Sequence, residues 1–191
     1  MTPEIIQKID AEIFLFLYHF RHPAITPIFE LITNKWIWIP FYLSLCYFFY
    51  HLLGIKKTLH HVVWLIILVF LADTTASKVL KPYFERLRPC NEPRLMYQFS
   101  MEGRPCSKSF SFVSSHAANS FALATYVTLS FRRSKHIRQK VITTILWSWA
   151  FLHTYSRLYL GLHYPLDLVG GSAVGMLYAL VIYKLSLWIK I

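Results

Sequence analysis

Five apolar segments, each about 18 to 24 residues long, take up most of this chain, at residues 36–53, 59–80, 114–131, 141–159 and 166–189. A hydrocarbon core about 30 Å thick takes about 20 residues of helix. Backbone groups inside lipid must bond to one another, which leaves helices or a closed barrel. Runs of this length with no strand-like alternation predict an all-α, polytopic transmembrane helical bundle.

Composition agrees with lipid as the solvent. Of 191 residues, 55% are hydrophobic and 17% aromatic, and the mean hydropathy is +0.42, more apolar than an ordinary soluble domain. The formal net charge is +11. Its cations sit between apolar runs and not in one patch, which excludes nucleic acid as a partner and suits anionic lipid headgroups. The first fourteen residues are polar and acidic, so no cleavable signal peptide is expected. No repeat or linker divides the chain, which reads as one domain over 1–191, with an N-terminal segment at 1–34 and a core bundle at 36–189. Within the former, residues 4–20 place Ile5, Ile6, Ile9, Ile13, Phe14 and Leu17 at helical spacing, predicting an amphipathic helix in the interface. With residues 24–33 it also fits a sixth, bent span. Trp36 and Trp38 read as interface anchors.

Five spans put Lys56 and Lys57 on the same side as Arg132, Arg133, Lys135, Arg138 and Lys140. Short basic loops stay cytoplasmic. The opposite side therefore faces out, and three polar motifs meet there. KPYFERLRP (81–89) brings Lys81 and Arg88; Pro82 and Pro89 predict a folded-back segment in place of continued helix. SSHAANS (114–120) opens a helix whose N-terminus, with Ser114, Ser115 and His116, suits a phosphate. SRLYLGLHYPLD (156–167) brings Arg157, His163 and Asp167. An aspartate beside a histidine fixes its tautomer and supports its positive charge. Each motif alone also fits interfacial polar residues; together they suit phosphoryl transfer.

The three motifs resemble the signature of the type 2 phosphatidic acid phosphatase superfamily of integral membrane lipid phosphatases: Lys, six residues, Arg-Pro; Pro-Ser-Gly-His; Ser-Arg, five residues, His, three residues, Asp. Lys81, Arg88 and Pro89 match the first, and Ser156, Arg157, His163 and Asp167 the third. The middle departs, with Val113 for Pro and Ser115 for Gly. The resemblance implies a metal-independent mechanism without a cofactor. His163 attacks phosphorus, oriented by Asp167, and forms a phosphohistidine. His116 protonates the leaving group. Lys81, Arg88, Ser114, Ser115 and Arg157 hold the phosphoryl oxygens. Implied substrates are bacterial lipid phosphates facing the periplasm: lipid A 1-phosphate, undecaprenyl diphosphate or phosphatidylglycerophosphate. Lipid-to-lipid phosphotransfer and non-enzymatic anion or lipid binding are the competing readings.

Four further features carry expectations. Gly171 and Gly175 predict close helix packing. Asp73 and Lys78 either pair across a turn or leave Lys78 to reach the interface. Cys46 reads as inert packing. Cys90 and Cys106 bracket the outward loop, where a disulfide and two free thiols are both open.

Overall fold

The computed structural model describes residues 3–95, 97, 106–132 and 137–189, and these contain helices and no strand. The helices are α1 (Pro3–His19), α2 (Thr26–Thr33), α3 (Ile39–Leu53), α4 (Ile55–Thr74), α5 (Lys81–Phe84), α6 (Ser115–Phe131), α7 (Ile137–Tyr159) and α8 (Pro165–Trp188). Arg133 and Lys135 of the second basic loop lie outside the described residues.

Central α6 is enclosed by α4, α7 and α8; α3 packs on α4, α2 on α7, and α1 on α7 and α8. Small residues make this possible. Ala117, Ala118, Ser120, Ala122 and Ala124 of α6 are buried, and α8 meets them with glycines. A Cβ added at Gly171 would stand 2.3 Å from the Ser114 carbonyl oxygen, and one at Gly175 2.0 Å from that of Ala118. The two backbones are in contact, as small-residue faces allow. Around this seam, Trp64, Leu68 and Ala72 of α4 pack with Tyr126 and Ile182. Leu45 and Phe49 of α3 pack with Phe121, Leu146 and Trp149 on the other side.

Three helical stretches are long and apolar enough to cross a membrane: Trp36–Leu53, Ile55–Asn91 and Pro165–Trp188. The other two expected segments, α6 with 17 residues and α7 with 23, run beside them. At 1.5 Å per residue these are roughly 26 and 34 Å long. Their weaker apolar signal has a physical source. α6 packs against helices instead of lipid, and α7 carries His153 and Arg157 toward the protein interior.

Two details depart from expectation. The chain does not fold back at Pro82. α4 continues through a π-helical turn, Thr75–Leu80, into α5. There the Lys81 N–H bonds to the Ala76 carbonyl, and Pro82, near the start of α5, needs no donor. The reversal comes at Glu85, whose φ of 45° ends the helix. Asp73 turns to α6 instead of Lys78: Asn119 Nδ2 donates to Asp73 Oδ1 at 3.0 Å.

The N-terminal helix presents Ile5, Ile6, Ile9, Ile13 and Phe16 outward, and Phe20 just past its end is also exposed. Phe14 instead points inward and packs with Leu95, Leu158, Tyr164 and Leu168. Trp36 is exposed. Trp38 turns in against Phe41 and Trp149, and its indole donates to the Ile32 carbonyl at 2.7 Å.

Candidate active site

At one end of the bundle the polar ends of α5, α6, α7 and α8 converge. Ser114 is the N-cap of α6, and its hydroxyl accepts from the Ala117 N–H at 3.4 Å. Its own N–H donates to the Asp167 carbonyl at 3.0 Å, which ties the start of α6 to the first turn of α8. The N–H groups of Ser115 and His116 lie in the first turn, before any helix carbonyl can serve them. The Ser115 hydroxyl is buried without a hydrogen-bond partner.

α8 begins at N-cap Tyr164, with Pro165 first and Asp167 third in the helix. His163 therefore sits one residue outside the helix, and its Nδ1 lies 3.4 Å from Asp167 Oδ2. The same oxygen accepts from the Tyr164 N–H at 2.8 Å and from the Ser111 hydroxyl. The other, Oδ1, accepts from Arg86 Nη1 at 2.8 Å. Asp167 is 0% exposed, yet its two oxygens have four partners, which is how a buried carboxylate stays ionised. Burial holds the His163 imidazole well below its ordinary pKa, with Asp167 opposing the shift. The ring is therefore neutral at neutral pH. Its Nδ1 lies 3.4 Å from both Ser111 Oγ and Asp167 Oδ2, an arrangement that favours the tautomer with the proton on Nδ1.

Three cations surround this pair. Arg88 is buried and held by Ser109, through its carbonyl at 2.8 Å and its hydroxyl at 2.9 Å, and by the Leu162 carbonyl at 3.1 Å. Arg157 donates to the Thr33 hydroxyl, and its Nε is left without a partner. Lys81 is buried at the start of α5, within the fields of Arg88, Arg157 and Asp167. His116 lies among Arg157, His153, His163 and Lys81. Its ring is 5.2 Å from that of His153, which in turn bonds to Ser120 Oγ at 2.8 Å.

Thus Lys81, Arg88, Ser114, Ser115, His116, Arg157, His163 and Asp167 fall in one polar cluster, although 86 residues separate its first and last members in sequence. Cys90 and Cys106 are joined by a disulfide with a Cα–Cα distance of 5.9 Å, which closes the loop between Arg88 and α6. Sequence reasoning missed Ser111, Arg86, Asp10 and His153. Arg86 lies inside the quoted KPYFERLRP stretch. Asp10 had no local signal, because its partners are far away in the chain.

A family model described as the PAP2 superfamily matches residues 61–190. This chain belongs to the PAP2 superfamily. A lipid A 4′-phosphatase of Porphyromonas gingivalis is 30% identical over 98% of this chain and 77% of its own length. A lipid A 4′-phosphatase of Bacteroides thetaiotaomicron is 35% identical over 90% of this chain and 74% of its own. Phosphatidylglycerophosphatase B of Bacillus subtilis is 35% identical over 59% of this chain and 52% of its own. Among solved structures, a transmembrane PAP2-type phosphatidylglycerolphosphate phosphatase from Bacillus subtilis aligns with a TM-score of 0.70 at 25% identity, covering 97% of this chain and 88% of that one. Aquifex aeolicus LpxE aligns over 91% of this chain and 93% of its own with a TM-score of 0.61 at 24% identity, a likeness of fold. As a PAP2 member with membrane-spanning helices, the chain is an integral membrane protein.

Proposed function

We propose that this chain is a lipid phosphatase that removes a phosphate monoester from a lipid A-type glycolipid, the 4′-phosphate first among the candidates. The observation that carries the chemistry is the His163–Asp167 pair, 3.4 Å apart, set against Lys81, Arg88, Arg157 and the N-terminus of α6. The substrate class rests on the two lipid A 4′-phosphatases that align over 98% and 90% of this chain.

Four groups seat the phosphoryl oxygens: Lys81, Arg88, Arg157 and the α6 N-terminus with Ser114 and Ser115. Their charge stabilises the crowded phosphorus more than the ground state. His163 Nε2 forms a bond to phosphorus as the P–O bond to the lipid breaks. His116 gives its proton to the departing oxygen; the arriving phosphate dianion offsets the surrounding cations and lets His116 hold that proton. Asp167 supports the positive charge that His163 acquires. Water then attacks phosphorus, the N–P bond breaks, and His116 takes the water's proton. This donor set is cationic where a divalent metal would want carboxylates, so the reaction proceeds without metal.

The whole chain acts as one membrane phosphatase domain. Lys56, Lys57, Arg132, Arg138 and Lys140 belong to the end opposite the site, so the site faces the periplasm from a bacterial inner membrane. The test is phosphate release from a 4′-phosphorylated lipid A in detergent, with acid-labile phosphohistidine trapped by rapid denaturation. Release that is lost in His163→Ala supports the reading. Release that persists in that variant, or label passing to a second lipid and not to water, overturns it.

A further inference from the structure

The family match begins at residue 61, yet a carboxylate from far upstream reaches the active site. Asp10 of α1 is 1% exposed. Its Oδ2 accepts from Arg86 Nη2 at 2.7 Å, and its Oδ1 accepts from the Leu166 N–H at 3.0 Å. Arg86 Nη1 donates to Asp167 Oδ1 at 2.8 Å. The guanidinium lies over the Tyr164 ring at 3.9 Å. One planar cation is thus shared between two buried carboxylates, one on α1 and one on α8.

The geometry has two consequences. Asp10 bonds an otherwise unserved N–H in the first turn of α8, the turn that carries Asp167. It thereby holds that turn beside His163. It also sets how much charge Arg86 lends to Asp167. A guanidinium given wholly to Asp167 would neutralise the carboxylate that must support positive charge on His163. With Asp10 sharing it, the Asp10–Arg86–Asp167 triad keeps one net negative charge, and Ser111, Tyr164 N–H and His163 receive it at Asp167 Oδ2. A fork with two parallel donors suits this division, where an ammonium would not.

We propose that Asp10 and Arg86 are positioning residues for the His163–Asp167 pair, through which the N-terminal helix completes the active site. This rests on the phosphohistidine reading above. The competing account is a staple that only fastens α1 to the bundle.

The test uses the full chain in detergent, with Asp10→Asn, Arg86→Gln, the double variant and Asp10→Glu. Asp10→Asn keeps an acceptor for Leu166 but removes the charge and puts an amide donor where an oxygen now accepts from Arg86. It is expected to lower kcat about 10-fold with KM within about twofold, and Arg86→Gln to lower kcat about 100-fold, the range for partners that orient a reacting group. The double variant is expected to be no worse than Arg86→Gln alone, because both losses run through one contact. Asp10→Glu recovers part of kcat. In parallel, the ¹⁵N spectrum of labelled His163 reports its tautomer without turnover. The wild type carries its proton on Nδ1, and Asp10→Asn and Arg86→Gln shift it toward a mixture. Wild-type kcat in Asp10→Asn with only a lower melting temperature, or additive losses, would overturn the proposal in favour of a staple. An unchanged His163 spectrum in both variants would do the same. If the wild type turns over no lipid phosphate, the phosphatase reading fails, and the spectra still decide the coupling.

Discussion

In the proposed reaction two histidines divide the labour at the residue scale, and their surroundings differ accordingly. His163 is fully enclosed and has its Nδ1 side taken by Asp167 and Ser111; His116 stands in the first turn of α6 beside the cations. Replacing His163 with Ala is expected to abolish turnover on every substrate, because no bond to phosphorus can form. Replacing His116 with Ala is expected to cost on the order of 10²- to 10⁴-fold on a lipid phosphate. An activated aryl phosphate, whose leaving group needs no proton, recovers much of that loss; equal losses on both substrates would refute the division of roles. His163 also makes a stability prediction. Its pKa in the folded protein is depressed by burial, so below about pH 6.5 the unfolded chain binds a proton that the folded one refuses. This contribution to stability is complete above about pH 6.5 and is lost as the pH falls, by at most about 1.4 kcal/mol per unit. Between pH 7 and 5 the melting temperature in detergent should fall more for the wild type than for His163→Gln.

Among the elements, the seam between α6 and α8 is the most demanding contact, because backbone meets backbone there. Gly175→Ala would drive a methyl into the Ala118 carbonyl, which no rotamer change can relieve. It should destabilise the protein by about 1–3 kcal/mol, read as a lower melting temperature. Gly171→Ala meets the Ser114 carbonyl instead. Its stability cost should be similar, but it also shifts the N-cap of the phosphate seat. An added activity loss on the order of 10²-fold is expected for Gly171→Ala and not for Gly175→Ala. The π-helical turn at Thr75–Leu80 is the other element with a functional consequence. It carries α4 past Pro82 without a break, so that Lys81 comes from a helix and Arg88 from the loop that returns after Glu85.

At the scale of the whole molecule, charge stands in for a metal and the helices fix the membrane sidedness in the proposed reading. On the proposed reading, in which Lys81, Arg88 and Arg157 supply the positive charge a metal would bring, phosphate release should be unchanged in chelator; a loss restored by a divalent ion would refute this. Sidedness can be read from the cysteines. With the disulfide intact, Cys90 and Cys106 should resist an impermeant maleimide, and Cys46 lies on an exposed face of the apolar α3 helix. After treatment with an impermeant reductant, both loop thiols should label from the outer face of intact cells. Labelling that required opening the membrane would reverse the orientation.

Much of this was legible in the sequence because its causes are local. Helix length against bilayer thickness, the spacing of His163 and Asp167 across a helix start, and the serine cap before an apolar run are each set within about ten residues. The motifs at 81–89, 114–120 and 156–167 therefore announced themselves, and so did the small-residue face of α8. What only the tertiary structure decided lies between distant segments. Asp10 reads as one more polar residue of an amphipathic helix until α1 docks and sets it 2.7 Å from Arg86 and 3.0 Å from the Leu166 N–H. Ser111 and His153 have no motif and take their meaning from the partners that packing brings. Asp73 turned to Asn119 and not to its sequence neighbour Lys78, because a carboxylate in an apolar helix takes the donor that burial puts beside it. Periodicity and spacing determine which faces are apolar and where helices begin; which polar groups share a charge in the interior depends on how those helices pack.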